Sequence, residues 1–342
     1  MTTPSPAQDL LTVTDLSVRL RTASGPATVV DEVSLAVAPG RILGIAGESG
    51  SGKTMTGMTL VGLPPAGATV TGSIRLDGRE LTALSEPGWA AVRGGQIAMV
   101  FQDPSSSLHP MLTVGRQLTD HMRRHLGLSR TAAAARSAEL LGLVRLPDPR
   151  GALRLYPHQF SGGMRQRVAI AVALAAEPRV LIADEPTTAL DVTVQAGIID
   201  LLDELRHDTG MSILLVTHDL GVISALADEI AVFYGGRIVE SGHAAQVLGA
   251  ARHPYTRGLL EALPHFSMET RPAGGKATGR GFVPIPGVPP TAGSLPAGCA
   301  FHPRCAHAAP ACQERRPELL PLTGPSSACH RLACHVDPWR PS

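Results

Sequence analysis

Residues 41–54, RILGIAGESGSGKT, constrain this chain more than any other stretch. The first half, 41–47, is a short apolar run of the kind that forms a strand buried on both faces. The second half has the spacing G-x-x-x-x-G-K-T over 47–54, and the run after it, MTGMTLVGL, reads as helix. Glycines at such a strand-to-helix turn let successive backbone N–H groups converge on phosphate oxygens, and the helix adds its positive N-terminal end. The pattern therefore implies a phosphate cradle. Gly47, Glu48, Ser49, Gly50, Ser51 and Gly52 supply the loop, Lys53 reaches the β- and γ-phosphates, and the Thr54 hydroxyl sits on Mg2+.

Further apolar runs fit a sheet around that turn. QIAMVF (96–101), RVLIAD (179–184) and SILLVTH (212–218) read as buried, largely parallel strands. The more alternating segments 10–20 and 33–40 suggest an antiparallel flank, and 229–242 reads as two strands about a Gly-Gly turn. Between 111 and 178 the pattern is helical, most plainly over 130–146, so a helical insertion separates two strands of the sheet. The fold class is α/β.

At the end of the 179–184 run stand Asp184 and Glu185, where open α/β sheets bind their ligands. Asp184 would hold Mg2+, and Glu185 would polarise an attacking water. FSGGMRQRVAIAVALA (160–175) gives a second anion site on the helical insertion, with Ser161 as N-cap and Gly162 and Gly163 exposing backbone N–H groups. One nucleotide does not easily touch this helix and the 47–54 loop of the same chain. Dimerisation resolves the conflict, one chain's Ser-Gly-Gly helix completing the other's site.

With these motifs the sequence resembles the ATP-binding subunits of ABC transporters over about residues 10–245. The resemblance implies an ABC-type P-loop fold: a mixed sheet core with an antiparallel flank and a helical subdomain at about 103–178, within a nucleotide-binding domain spanning 1–250. It also assigns roles. Gln102 in VFQDP resembles the Q-loop glutamine that touches Mg2+ or water, and Asp191 in TTALD the D-loop aspartate that communicates across the dimer. His218 in LLVTHDL resembles the switch histidine at the γ-phosphate, and FSGGM stands where a Leu-Ser-Gly-Gly-Gln signature is commoner. The family stacks adenine on an aromatic near the N-terminus, whereas here Leu20 occupies that place. Weaker adenine recognition, or stacking by another residue, is the expectation.

RHPYTRGLLEALP (252–264), PIPGVPP (284–290) and GCAFHPRC (298–305) narrow the resemblance to the ATPases of oligopeptide and dipeptide importers, a group with some nickel importers in it. FQDPSSSLHP (101–110) fits as well, with His109 where Asn is commoner. This implies a motor subunit that hydrolyses ATP on the cytoplasmic face of the membrane. Its partners would be a second, non-identical ATPase, two membrane permease subunits and, indirectly, a solute-binding protein, with a coupling helix received near 102–125. The alternatives are an importer of nickel chelates or other small solutes, and a soluble ABC ATPase acting on ribosomes or DNA. Lys+Arg at 30 against Asp+Glu at 29 argues against a general nucleic-acid binder. No run approaches the roughly 20 apolar residues of a membrane span, and the first residues lack a signal-peptide pattern, so a cytosolic chain is expected.

Residues 251–342 form a C-terminal extension in this reading. From 264 to 298 there are seven Pro and seven Gly, which exclude a regular helix or central strand. All five cysteines follow, within 299–334. In a cytosolic chain clustered cysteines point to metal or redox chemistry more than to disulfides. The resemblance implies a 4Fe–4S cluster on Cys299, Cys305, Cys312 and a fourth cysteine, for which Cys329 and Cys334 compete; HRLACH (330–335) better resembles the family's last ligand context and favours Cys334, which leaves Cys329 the spare thiol. The spacing itself, C-x5-C-x6-C and a long gap, suits Fe–S or Zn2+ equally, and reduced thiols remain open. The absence of a C-x-x-C pair weakens a zinc ribbon. His302, His307 and His335 stand near enough in sequence to replace a cysteine at zinc. The expectation is a metal-stapled tail with too little core of its own.

Overall fold

The computed structural model describes residues 9–23, 25–188, 190–263, 284–322 and 329–340. Most of the expected Pro/Gly linker, 264–283, lies outside them.

Among the described residues twelve strands form two sheets. In chain order they are β1 (Leu11–Thr22), β2 (Gly25–Val37), β3 (Ile42–Ala46), β4 (Thr69–Leu76), β5 (Arg79–Glu80), β6 (Ile97–Val100), β7 (Val180–Asp184), β8 (Ser212–Val216), β9 (Glu229–Tyr234), β10 (Arg237–His243), β11 (Leu320–Pro321) and β12 (Arg331–Leu332). The flank is the sheet β2-β1-β4-β5, antiparallel throughout. The larger sheet runs β11-β12-β10-β9-β3-β8-β7-β6. Its centre, β9-β3-β8-β7-β6, is parallel. β3, β7 and β8 are buried at every residue, as continuous apolar runs covered on both faces must be. Gly235 and Gly236 both take positive φ and turn β9 into β10, where the sequence placed the hairpin.

One apolar core lies between the two sheets, built from residues such as Leu11, Val30, Ile45, Ile74 and Leu214. A second joins the larger sheet to the helical insertion, whose helices include Val114–Leu126, Arg130–Leu143 and Gly162–Leu174. The helix expected over 130–146 ends at Leu143. Arg145 enters the left-handed region at φ 60, and its N–H closes on Gly142 O at 2.8 Å, which stops the helix. The insertion separates β6 from β7, neighbours in the sheet, as expected.

The extension is not a free appendage. β12 pairs with β10 through Glu240↔Leu332 and Ser241↔Arg331, and β11 pairs with β12, so the tail adds the last two strands of the larger sheet. A third core sits beneath it. Phe301 meets Tyr234 edge-on at 5.1 Å between ring centroids and Tyr255 at 5.4 Å. Each aromatic pair of this kind adds about 0.5–1.5 kcal/mol beyond the area it buries. The fully buried Glu240 carboxylate accepts from the backbone N–H of Arg252 and His253 and lies 2.8 Å from His330 Nε2. Arg252 grips Asp337 with two guanidinium nitrogens. These contacts, none of them a metal bond, attach the tail. Among the described residues no helix is long and apolar enough to cross a membrane.

Candidate functional site

The 47–54 loop leaves β3 and enters the helix Lys53–Leu60, the context the motif requires. Two glycines are fixed by close approach. At Gly47, φ 149, a Cβ would stand 2.4 Å from Phe233 O. At Gly52, φ 103, it would stand 2.7 Å from Val29 O. The loop is thus threaded between β9 and the flanking sheet, and only glycine passes at these points. Ser49, Gly50 and Thr54 are exposed, while Lys53 is 5% exposed. Lys53 Nζ donates to Gly47 O at 2.7 Å and to Glu48 O at 2.8 Å. Burial pushes its pKa down, and Glu185, Asp184 and Glu48 oppose the shift. Ser51 Oγ is buried without a hydrogen-bond partner among the described residues.

β7 delivers the two carboxylates beside this loop. Thr54 Oγ1 donates to Asp184 Oδ1 at 3.2 Å. Asp184 is 1% exposed, and burial raises its pKa to about 6 against the pull of Thr54 and Lys53. Glu185 turns out of the strand at φ 47, with its N–H on Val216 O at 2.7 Å. A non-glycine residue at positive φ is a strained, over-determined position. Its carboxylate collects three partners: Gln102 Nε2 at 2.9 Å, Thr188 Oγ1 at 2.7 Å and His218 Nδ1 at 3.2 Å. Burial raises the Glu185 pKa, but the Thr188 and His218 hydrogen bonds with the charges of His218 and Lys53 outweigh it and leave it lowered. Gln102, Asp184, Glu185, His218, Lys53 and Thr54, far apart in sequence, are thus gathered at the C-terminal end of the parallel strands. An ionised carboxylate, a buried ammonium and a loop with an orphaned hydroxyl suit a metal-bound polyphosphate.

Comparison with known proteins decides the family. Residues 30–188 match the ABC transporter family model, and 239–312 match that of the oligopeptide/dipeptide transporter C-terminal region. The chain is 44% identical over 328 residues to the oligopeptide transport ATP-binding protein OppD of Salmonella typhimurium, covering 96% of this chain and 95% of that protein. This chain belongs to the ATP-binding proteins of oligopeptide ABC transporters. It is also 45% identical to an oligopeptide transport ATP-binding protein of Mycobacterium tuberculosis, of whose length it spans about half (51%). Among solved structures it resembles the ATP-binding cassette MJ0796, a dimer bound to ADP and phosphate, with 27% identity, a TM-score of 0.62, and 68% and 98% of the two chains covered.

Other expected residues of this ABC ATPase lie apart from that cluster. Ser161 caps the helix Gly162–Leu174 and accepts from Met164 N–H at 3.4 Å. Asp191 caps Val192–Thr209 and accepts from Val194 N–H at 3.0 Å. Ser161, Gly162 and Asp191 are exposed, and the two helix starts meet where a Cβ on Gly163 would stand 2.6 Å from Val194 Cγ1. Among the described residues no hydrogen bond or ion pair joins Ser161, Gly162 or Gly163 to the phosphate loop or to Asp184 and Glu185. Leu20 is half-buried, paired with Ala27 across the β1–β2 hairpin and packed on the inter-sheet core.

The expectation of metal-bound cysteines finds only partial support. Cys299, Cys305, Cys312 and Cys334 do line one small cavity, with His253, His302, His307 and His335, while Cys329 is exposed and not on it. Burial and the neighbouring thiols raise the pKa of Cys299 to about 11, and burial raises Cys305 and Cys334 as well. Yet among the described residues no group of three or more His, Cys, Asp or Glu is placed to hold a metal ion. The thiols converge without forming a ready ligand set, and the tail is attached by strands, aromatics and ion pairs instead.

Two residues that touch the site escaped the sequence reading. Tyr255 OH accepts from Glu48 N–H at 2.7 Å, and Arg304 grips the Glu48 carboxylate. Both lie in segments read only as marks of resemblance, 252–264 and 298–305, and nothing local in them points to a loop more than 200 residues earlier.

Proposed function

We propose that this chain is the ATP-hydrolysing motor of an importer for oligopeptides or dipeptides, acting on the cytoplasmic face of the membrane through two permease subunits and, through them, a solute-binding protein. The observation that carries this is the near end-to-end match to the Salmonella protein, which includes both the phosphate loop and the 239–312 region. In this reading residues 1–250 are the nucleotide-binding domain and 251–342 the extension that marks peptide importers.

The geometry supports definite roles. Glu185, held by Thr188 and flanked by His218, orients the attacking water. Lys53, His218 and the Ser161 of a partner stabilise charge on the γ-phosphate. Thr54, Asp184 and Gln102 hold Mg2+, which supplies charge neutralisation at the phosphates when bound. The exposed Ser161, Gly162 and Asp191 face a second ATPase, which we take to be a non-identical subunit; the dimeric MJ0796 structure supports pairing of this kind. Leu20 offers adenine no ring, so base recognition is weak from this position. The test is purification of the assembly with its membrane subunits. Two polytopic proteins should co-purify, and a peptide-loaded binding protein should raise ATP hydrolysis. Stimulation by a nickel chelate and not by peptides would overturn the cargo assignment, and co-purification with ribosomes would overturn the transport reading.

We further propose that Cys299, Cys305, Cys312 and Cys334 take up a 4Fe–4S cluster. Convergence on one cavity and the separate position of Cys329 support it; the lack of a preset ligand arrangement means the thiols must turn inward and lose their protons to bind. Anaerobic purification should give a brown protein with iron and acid-labile sulfide. A colourless protein with stoichiometric zinc, or with neither metal, would refute the cluster.

A further inference from the structure

We propose that Arg304 is a positioning residue of the nucleotide site, fixing the triphosphate loop from the extension by holding Glu48 in register with Lys53. The proposal rests on the ATP-binding reading of the 47–54 loop and adds a part to it. Glu48 is the second residue of that loop, and all its polar groups are engaged. Its N–H donates to Tyr255 OH at 2.7 Å, its C=O accepts from Lys53 Nζ at 2.8 Å, and its carboxylate receives Arg304 in two bonds, Nη1 to Oε2 at 2.6 Å and Nη2 to Oε1 at 3.0 Å. The carboxylate is therefore held by the extension. Any displacement of Glu48 moves the carbonyl that steers the Lys53 ammonium.

Arg304 is itself fixed. Its side chain is 5% exposed, against 26% for Glu48. Nε donates to Pro286 O at 2.8 Å and Nη1 to Tyr234 OH at 3.3 Å. The guanidinium carbon lies 5.8 Å from the Tyr234 ring centroid and 5.9 Å from that of Phe301. A planar fork anchored on three sides imposes an orientation that a lysine, a point charge on a flexible stem, does not. The alternative is a staple that only fastens the extension to the domain. A staple would change melting and leave nucleotide affinity in the folded protein alone.

The test uses the full-length chain for MgATP titration calorimetry and the assembled transporter for steady-state hydrolysis. Arg304→Ala is expected to raise both Kd and KM for MgATP about tenfold while kcat stays within about twofold, the scale of one lost charge-assisted contact. Arg304→Lys should recover part of the loss, and Glu48→Gln should reproduce most of it. The double variant Arg304→Ala with Glu48→Gln should be no weaker than the weaker single, because both changes cut one linkage. Circular dichroism and a cooperative melt establish folding, and if Arg304→Ala does not fold, Arg304→Lys and Glu48→Gln carry the decision. Folded variants that bind MgATP like the parent, or losses that simply add, would overturn the proposal while leaving the ATPase reading intact. A parent that binds no MgATP would sink both.

Discussion

Glu185→Gln is expected to leave MgATP binding within a few-fold of the parent and to slow hydrolysis by about 10²–10⁴-fold, the range lost with a positioned general base. The physical reason lies in the three partners on this carboxylate. Glutamine keeps an oxygen for Thr188 Oγ1 and a shape that fits beside Gln102, so the pocket stays formed. What goes is the negative charge, and with it the carboxylate contact to His218 Nδ1 and the capacity to polarise water. Because nucleotide stays bound, the variant should also accumulate as a closed pair of ATPases, seen as an ATP-dependent shift in size-exclusion chromatography of the assembled subunits. Turnover at the parent's rate would show that Glu185 does not hold the water. A variant unable to bind ATP would show that it serves in binding instead.

The second large effect concerns its neighbour. Asp184 has a pKa raised from 3.8 to about 6 by burial. A carboxyl whose folded pKa is raised favours the fold when protonated. That contribution is complete below about pH 4 and is lost as the pH rises through 6, so at pH 8 the ionised carboxylate costs the fold on the order of 3 kcal/mol. Asp184→Asn should therefore melt several degrees above the parent at pH 8, and the gap should narrow to about half by pH 5 and close near pH 4. Lys53 keeps Glu185 as counter-charge and its bonds to Gly47 and Glu48, so the substitution does not strand it. The same variant should lose at least about 10²-fold in MgATP hydrolysis. In the parent, Mg2+-dependent ATP affinity should fall as the pH drops through 6, where protons compete with the metal for Asp184. Identical melting profiles for parent and variant between pH 5 and 8 would refute the burial argument. Full activity in the variant would refute the metal role. A site that weakens its own protein until the ligand arrives is a common cost of function.

What could be read in the sequence follows physical range. β3, β6, β7 and β8 were legible because strands buried on both faces must be unbroken apolar runs. The phosphate loop was legible because backbone approach at Gly47 and Gly52 leaves room for no other residue. β4 was missed: TVTGSIRL is half polar, interrupted by Gly72, and becomes a strand by pairing with β1 over seven residue pairs. β11 and β12, two residues each, carry no periodicity and exist only because β10 offers an edge. The two carboxylates could be named from a strand end, and the glutamine and histidine from the family resemblance, but the clamp on Glu48 could not. Tyr255 and Arg304 lie 207 and 256 residues from it, and their chemistry there depends wholly on how the tail packs. The metal-stapled tail was inferred from cysteine spacing and family resemblance, which say nothing about where Glu240, His330, Arg252 and Asp337 meet.

The pairing of β12 with β10 sets an order on biosynthesis. The growing chain exposes the outer edge of β10 once Arg237–His243 has folded, and its cover is encoded some ninety residues later, at Arg331 and Leu332. Open strand edges recruit other strands, and nascent multi-element domains are most aggregation-prone while such edges wait. A premature stop between codons 305 and 331 would release a protein that keeps the phosphate loop and its Arg304 clamp but has an unguarded sheet margin, so frameshift alleles this late in the gene should yield inclusion bodies rather than a shortened, working motor.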